Sequence, residues 1–157
     1  MNTNRTFNFS LLLARVVLGT VIAAHGAQKL FGWFGGFGFD GTMGFFTEAI
    51  GLPPIVALLI ILAESIGMVA LVFGLFSRIL SSAVILIMAG AIATTHGAFG
   101  FFLNWSGTQG GEGYEFHLLV IALASVISLN GAGLYSIDAA IKSRLQKARR
   151  FPSILFA

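Results

Sequence analysis

The stretch IVALLIILAESIGMVALVFGLF, residues Ile55–Phe76, carries a single ionisable side chain, Glu64. A helix rises about 1.5 Å per residue, so this run is long enough for the ~30 Å hydrocarbon core of a bilayer. Its apolar residues are continuous rather than alternating, which selects a helix over a barrel strand. Ser77 and Arg78 separate it from a second run of the same kind, Ile79–Phe99. Two spans joined so briefly fold back as a tight antiparallel hairpin. Outside the hairpin, Ser10–Leu30 and Phe116–Leu134 have the same character. The expected fold is all-α: an integral membrane four-helix bundle with spans at about 10–30, 55–76, 79–99 and 116–134.

Composition agrees. Of 157 residues, 57% are hydrophobic and only 10% are charged, against about 25% charged in ordinary soluble domains. Disorder is excluded by the hydrophobicity, and nucleic-acid binding by the scarcity of basic residues outside one tail. Cysteine is absent. That removes thiolate nucleophiles, disulfide exchange, iron–sulfur clusters and C-x-x-C-H haem attachment. Any redox role falls to a bound cofactor or substrate.

Charge sets the expected orientation. With four spans both termini share a side, and that side receives Arg5, Arg15, Arg78, Lys142, Arg144, Lys147, Arg149 and Arg150. Lys29 alone falls on the other. The positive-inside bias makes both termini cytoplasmic. Residues 1–141 are expected to form the bundle, and 142–157 a basic cytoplasmic tail attracted to anionic lipid. Arg15 in the middle of the first apolar run argues against a cleaved signal peptide.

Ionisable groups inside spans are costly and default to functional hypotheses. Glu64 falls near mid-membrane, about 14 Å from Ile55 by the helical rise. His25 lies about 7 Å from the outer end of its span by the same measure. Lys29 follows His25 by four residues and shares its face, with Gln28 at the border. His96 falls near the outer end of the third span, beside a small-residue stripe of Ala89, Ala93 and Gly97 that favours close helix approach. The expectation is one outward polar pocket lined by His25, Lys29, Glu64 and His96, with Glu115 at its mouth. Lys29 has a second reading, snorkelling to the interface, and His117 reads as interfacial. Arg15 and Asp138 read as a structural pair that closes the first helix onto the last.

The segment FGWFGGFGFDGTMGFF, Phe31–Phe46, holds G-G-x-G, but no strand precedes it and no Lys-Ser/Thr follows, so it is no phosphate cradle. It reads either as an interfacial anchor or as a lid whose rings, Trp33 among them, cover the pocket. Trp105 reads as an anchor.

Taken in order, these features resemble the DoxX family of small four-span membrane proteins. The resemblance runs from about Phe9 to Ile141. It rests on Arg15, His25-Gly26-Ala27-Gln28-Lys29-Leu30, the Gly-Phe loop, Glu64, Gly74 and Arg78. Gly113-Tyr114-Glu115 and Gly131-Ala132-Gly133-Leu134-Tyr135-Ser136-Ile137-Asp138 complete it. It implies a multi-pass protein of a bacterial or archaeal cytoplasmic (inner) membrane, linked to quinone and redox-stress physiology. It also implies relation to an oxidoreductase subunit, so that a complete enzyme requires a partner.

The leading expectation is a quinone- or quinol-handling site. His25 or His96 would hydrogen-bond a ring oxygen, Glu64 or Glu115 would exchange the proton, and Lys29 would stabilise a developing negative oxygen. Gln28 and Trp33 complete the ligand contacts. Two alternatives stand beside it. Histidines with a carboxylate are ligand types for a metal or b-type haem, although no H-x-x-E-H or E-x-x-H spacing occurs, so no metal is assigned. The other is a non-catalytic subunit or assembly partner, binding lipid and packing against a redox complex or a second copy of itself.

Overall fold

The computed structural model describes residues 3–150. The first apolar run forms one helix, α1 (Thr3–Phe31). A 3-10 turn, Trp33–Gly35, leads to α2 (Gly38–Gly44), which continues as a π turn over Phe45–Ala49. The next helix, α3 (Pro54–Val72), opens on Pro54 and is interrupted by a π turn, Ala63–Gly67. Proline suits a first turn because the N–H it lacks would have no helical partner there. Then come α4 (Ser77–Thr94), a 3-10 turn at His96–Phe99, α5 (Glu115–Asn130) and α6 (Ile137–Arg150). No strand occurs among the described residues.

By length and composition α1, α3 and α4 can each cross a membrane, whereas α5, with 16 residues, is shorter. The expected fourth span ran to Leu134, but Gly131, at φ +80°, ends the helix, as glycines in the left-handed region commonly do. The third span is also shorter than expected. It stops at Thr94, so His96 sits on a turn beyond the helix. The segment expected as a glycine-phenylalanine loop contains α2.

All four long helices contribute to one core. Leu18 and Ile22 of α1 meet Met68 and Leu71 of α3, Val84 and Met88 of α4, and Val120, Ala124 and Ile127 of α5. The outward faces carry exposed Leu13, Val17, Ile66, Ile79, Leu86, Leu119 and Leu129. So large an apolar exterior suits acyl chains and would promote aggregation in water.

Close approach happens at α1 and α3 rather than along α4. A Cβ on Gly19 would lie 2.9 Å from the Met68 carbonyl, and one on Gly26 would overlap the Glu64 carbonyl. Ala89, Ala93 and Gly97, expected as the packing stripe, are exposed instead. The helical period turns Ala89 and Ala93 outward while Val84 and Met88 face the core, and Gly97 lies on the turn after the helix.

At the bundle end where α3 gives way to α4, Arg15 is buried and donates to the Ala132 carbonyl at 3.2 Å and to the Tyr135 carbonyl. Asp138 accepts the N–H groups of Phe76 and Ser77, each at 2.9 Å. The expected Arg15–Asp138 ion pair is therefore corrected: the two side chains do not meet, and the Lys29–Glu64 contact is the ion pair found among the described residues. The physical reason is local demand. The start of α4 leaves N–H groups without partners, and a carboxylate there satisfies them and suits the helix dipole. The planar guanidinium instead reaches carbonyls of the non-helical link after α5. Gly74 leaves room for it, since a Cβ there would overlap Arg15 Nη1. Of the basic tail, Phe151–Ala157 and the side chains of Arg149 and Arg150 lie outside the described residues.

Candidate functional site

Gly26 positions the site. Because it has no Cβ, the backbone of α1 rests directly on the π turn of α3, and the neighbours of Gly26 flank Glu64. A π turn widens the helix by one residue and re-aims side chains, a device common at functional positions. Lys29 Nζ lies 2.6 Å from Glu64 Oε2, with the two side chains 27% and 3% exposed. Lys29 thus turns inward to the carboxylate rather than out to an interface. Burying a carboxylate so fully is costly without a countercharge, and Lys29 supplies one.

The histidines stand around this pair. His25 Nδ1 lies 3.1 Å from Gln28 Oε1, and Gln28 Nε2 donates to the Phe34 carbonyl at 3.3 Å. His96, on its turn after α4, meets the Glu112 carbonyl through Nδ1 at 2.8 Å. Its ring centroid is 4.1 Å from that of His117. Phe116 lies between His25 and His117, with centroids 5.9 Å and 5.8 Å away. His117 is buried, and its Nδ1 has no hydrogen-bond partner.

These groups border one cavity of about 930 Å³, at the end of the bundle where α1 finishes and α5 begins. Its charged and imidazole lining comprises His25, Lys29, Glu64, His96, Glu112 and His117, and Thr94, Thr95 and Asn104 add further polar wall. Ile22, Val56, Ile60, Met88, Phe46 and Phe116 supply apolar wall. Mostly apolar walls with a few convergent polar groups are the usual make-up of small-molecule sites.

Several expected residues have other places. Glu115 spends its carboxylate on the Leu103 N–H at 2.9 Å and does not line the cavity. Trp33 is exposed, packs on Phe31 with ring centroids 5.1 Å apart, and also lies off the cavity. Gln28 acts through His25 rather than on the cavity wall. Trp105, expected as an anchor, is on the wall, as are Phe45 and Phe46 of the glycine-phenylalanine segment.

Two lining residues escaped sequence reasoning. His117 reads as interfacial by its distance from the helix end, yet it lies in the buried series His117, Val120, Ala124, Ile127. That three-and-four spacing was the available signal. Glu112 had none, since its contribution to His96 is a backbone carbonyl. Among the described residues no group of three or more His, Cys, Asp or Glu is placed to hold a metal ion.

Comparison with known proteins follows the same segments. A family model described as DoxX matches residues 10–97, from the first apolar helix through His96. The "Putative oxidoreductase CatD" of Bacillus subtilis (strain 168) is 32% identical over 135 residues, covering 86% of this chain and 89% of the relative. No solved structure matches. With the family match spanning more than half of the chain, and a relative aligned along most of both lengths, the protein belongs to the DoxX family.

Proposed function

We propose that the protein crosses the cytoplasmic membrane of a bacterium or archaeon four times with both ends inside, and that its cavity takes a quinone or quinol as a component of an oxidoreductase. The observation that carries this reading is the Lys29–Glu64 pair, at the middle of α3, opening onto a largely apolar cavity with three histidines. The residues fit such a guest. A flat ring and apolar tail suit walls of isoleucine, valine and phenylalanine, and the unpartnered His117 Nδ1 is a polar atom awaiting one. A bound quinone–quinol pair supplies two-electron, two-proton chemistry.

The chain's own groups then divide the remaining work. His25 and His96 meet ring oxygens at Nε2 and take up a proton there. Glu64, paired with Lys29, is the deeper proton acceptor, and the Lys29 ammonium favours negative charge on a nearby oxygen. The apolar walls exclude water and strengthen each of these interactions. With no cysteine to bear a thiol or iron–sulfur carrier, the electrons are proposed to come from a partner protein. The name of the Bacillus relative is in keeping with redox work.

The test is binding of a short-chain quinone analogue to the purified chain. Glu64→Gln and His25→Ala are expected to weaken it about tenfold each, the worth of one hydrogen bond to a charged or buried group. Unchanged affinity in both variants overturns the mechanism. A second reading, a non-catalytic partner subunit, is favoured by the exposed small residues Ala89 and Ala93 on α4, which suit packing against another helix. Recovery of a stoichiometric oxidoreductase in gentle detergent, with no quinone bound, would support it.

A further inference from the structure

Hydrogen-bond direction around the cavity fixes what its histidines offer a guest. A backbone carbonyl only accepts, so neutral His96 carries its proton on Nδ1 to meet the Glu112 carbonyl at 2.8 Å. Its Nε2 is left as a bare lone pair. The same logic settles His25. Gln28 donates through Nε2 to the Phe34 carbonyl, which leaves its Oε1 to face His25 Nδ1 at 3.1 Å. An amide oxygen also only accepts, so His25 too is protonated on Nδ1 and open at Nε2. Both rings line the cavity, and so does Glu64, whose carboxylate is a third acceptor. Lys29, beside Glu64, is the donor on that side of the cavity, and one of its three N–H groups faces the carboxylate at 2.6 Å.

We propose that the histidine side of this cavity, with Nε2 of His25 and of His96 as paired acceptors, selects the dihydroxy, reduced form of a quinoid ring over its dicarbonyl, oxidised form. The proposal rests on the quinone-handling reading and adds the redox state that the site prefers. A ring hydroxyl donates to Nε2 of His25 or His96 and both partners are satisfied. A ring carbonyl at the same place sets lone pair against lone pair, and neither acceptor gains a partner. Buried His117 stands beside His96 with Nδ1 unpartnered, so it is the one ring whose tautomer is free to follow the guest.

The experiment compares a short-chain ubiquinol, kept reduced under anaerobic buffer, with its oxidised form. Both are titrated into the purified full chain in nanodiscs, with Trp105 on the cavity wall as the fluorescent reporter. The reduced form is expected to bind about tenfold tighter, one well-made hydrogen bond against one mismatch. His96→Gln and His25→Gln put an amide N–H where the lone pair stood and are expected to erase that preference. Histidine-labelled nitrogen spectra of the unliganded chain are expected to show both neutral rings protonated at Nδ1, a readout that needs no guest. Equal affinities, tighter binding of the oxidised ring, a preference untouched by both variants, or Nε2-protonated rings would each overturn the selection and leave quinone handling standing. Binding of neither form overturns both.

Discussion

Removing the Lys29 ammonium would leave Glu64, 3% exposed, without its countercharge. Lys29→Met is therefore expected to destabilise the protein by about 1–3 kcal/mol, the penalty for an unpaired buried polar or charged group. Glu64→Gln alone should cost less, because Lys29 is 27% exposed and can turn to solvent or headgroups. The double variant is expected to be more stable than the two single effects predict, and thermal unfolding in detergent across the four-member cycle measures that coupling. An additive cycle would show that the pair carries no energy. At this scale much was legible. A carboxylate alone in an apolar run must find a cation, and Lys29 on the first span was the neighbouring one. The corner at the other end was not legible. Arg15 and Asp138 have opposite charges and suitable positions, but their partners are backbone groups whose need arises only once α4 begins and α5 ends where they do.

Elements meet here through backbone as much as through side chains. Gly26→Val would drive two methyls into the π turn at Glu64, so it is expected to lose more than the 1–3 kcal/mol usual for overpacking (roughly that range for side-chain cores) and to abolish ligand binding. Ala93→Val on the exposed face of α4 should leave both unchanged, and analytical gel filtration with melting curves distinguishes the two. Asp138→Ala removes the carboxylate that caps α4 from 61 residues away. Its expected cost is about 1–2 kcal/mol, with most of it restored by Asp138→Asn, because an amide oxygen still accepts a cap hydrogen bond. A melting temperature unchanged by the alanine variant would remove the cap from the account. The hairpin between α3 and α4 could be read from Ser77-Arg78 alone, whereas the π turns could not. A π turn depends on how neighbouring helices crowd one turn of another, and no periodicity in Ala63–Gly67 announces it.

For the whole molecule, the proposed four crossings make a simple experiment available, because the sequence contains no cysteine to give a background. With Gln109→Cys and Ser143→Cys in intact cells, an impermeant thiol reagent is expected to label the first and not the second. Labelling of both, or of neither, would contradict an even number of crossings with cytoplasmic ends. Sequence by itself determined that this chain is helical and at home in lipid, since continuous apolar runs can satisfy their backbone there only as helices. It also determined which titratable residues had to be accounted for, because charge is too costly in such a setting to be incidental. Tertiary structure decided which of them meet. Convergence of His25, Lys29, Glu64, His96 and His117 on one cavity depends on the glycine contact between α1 and α3 and on the end of α4 at Thr94. Both are products of helix packing in three dimensions, which spacing along a single chain does not encode.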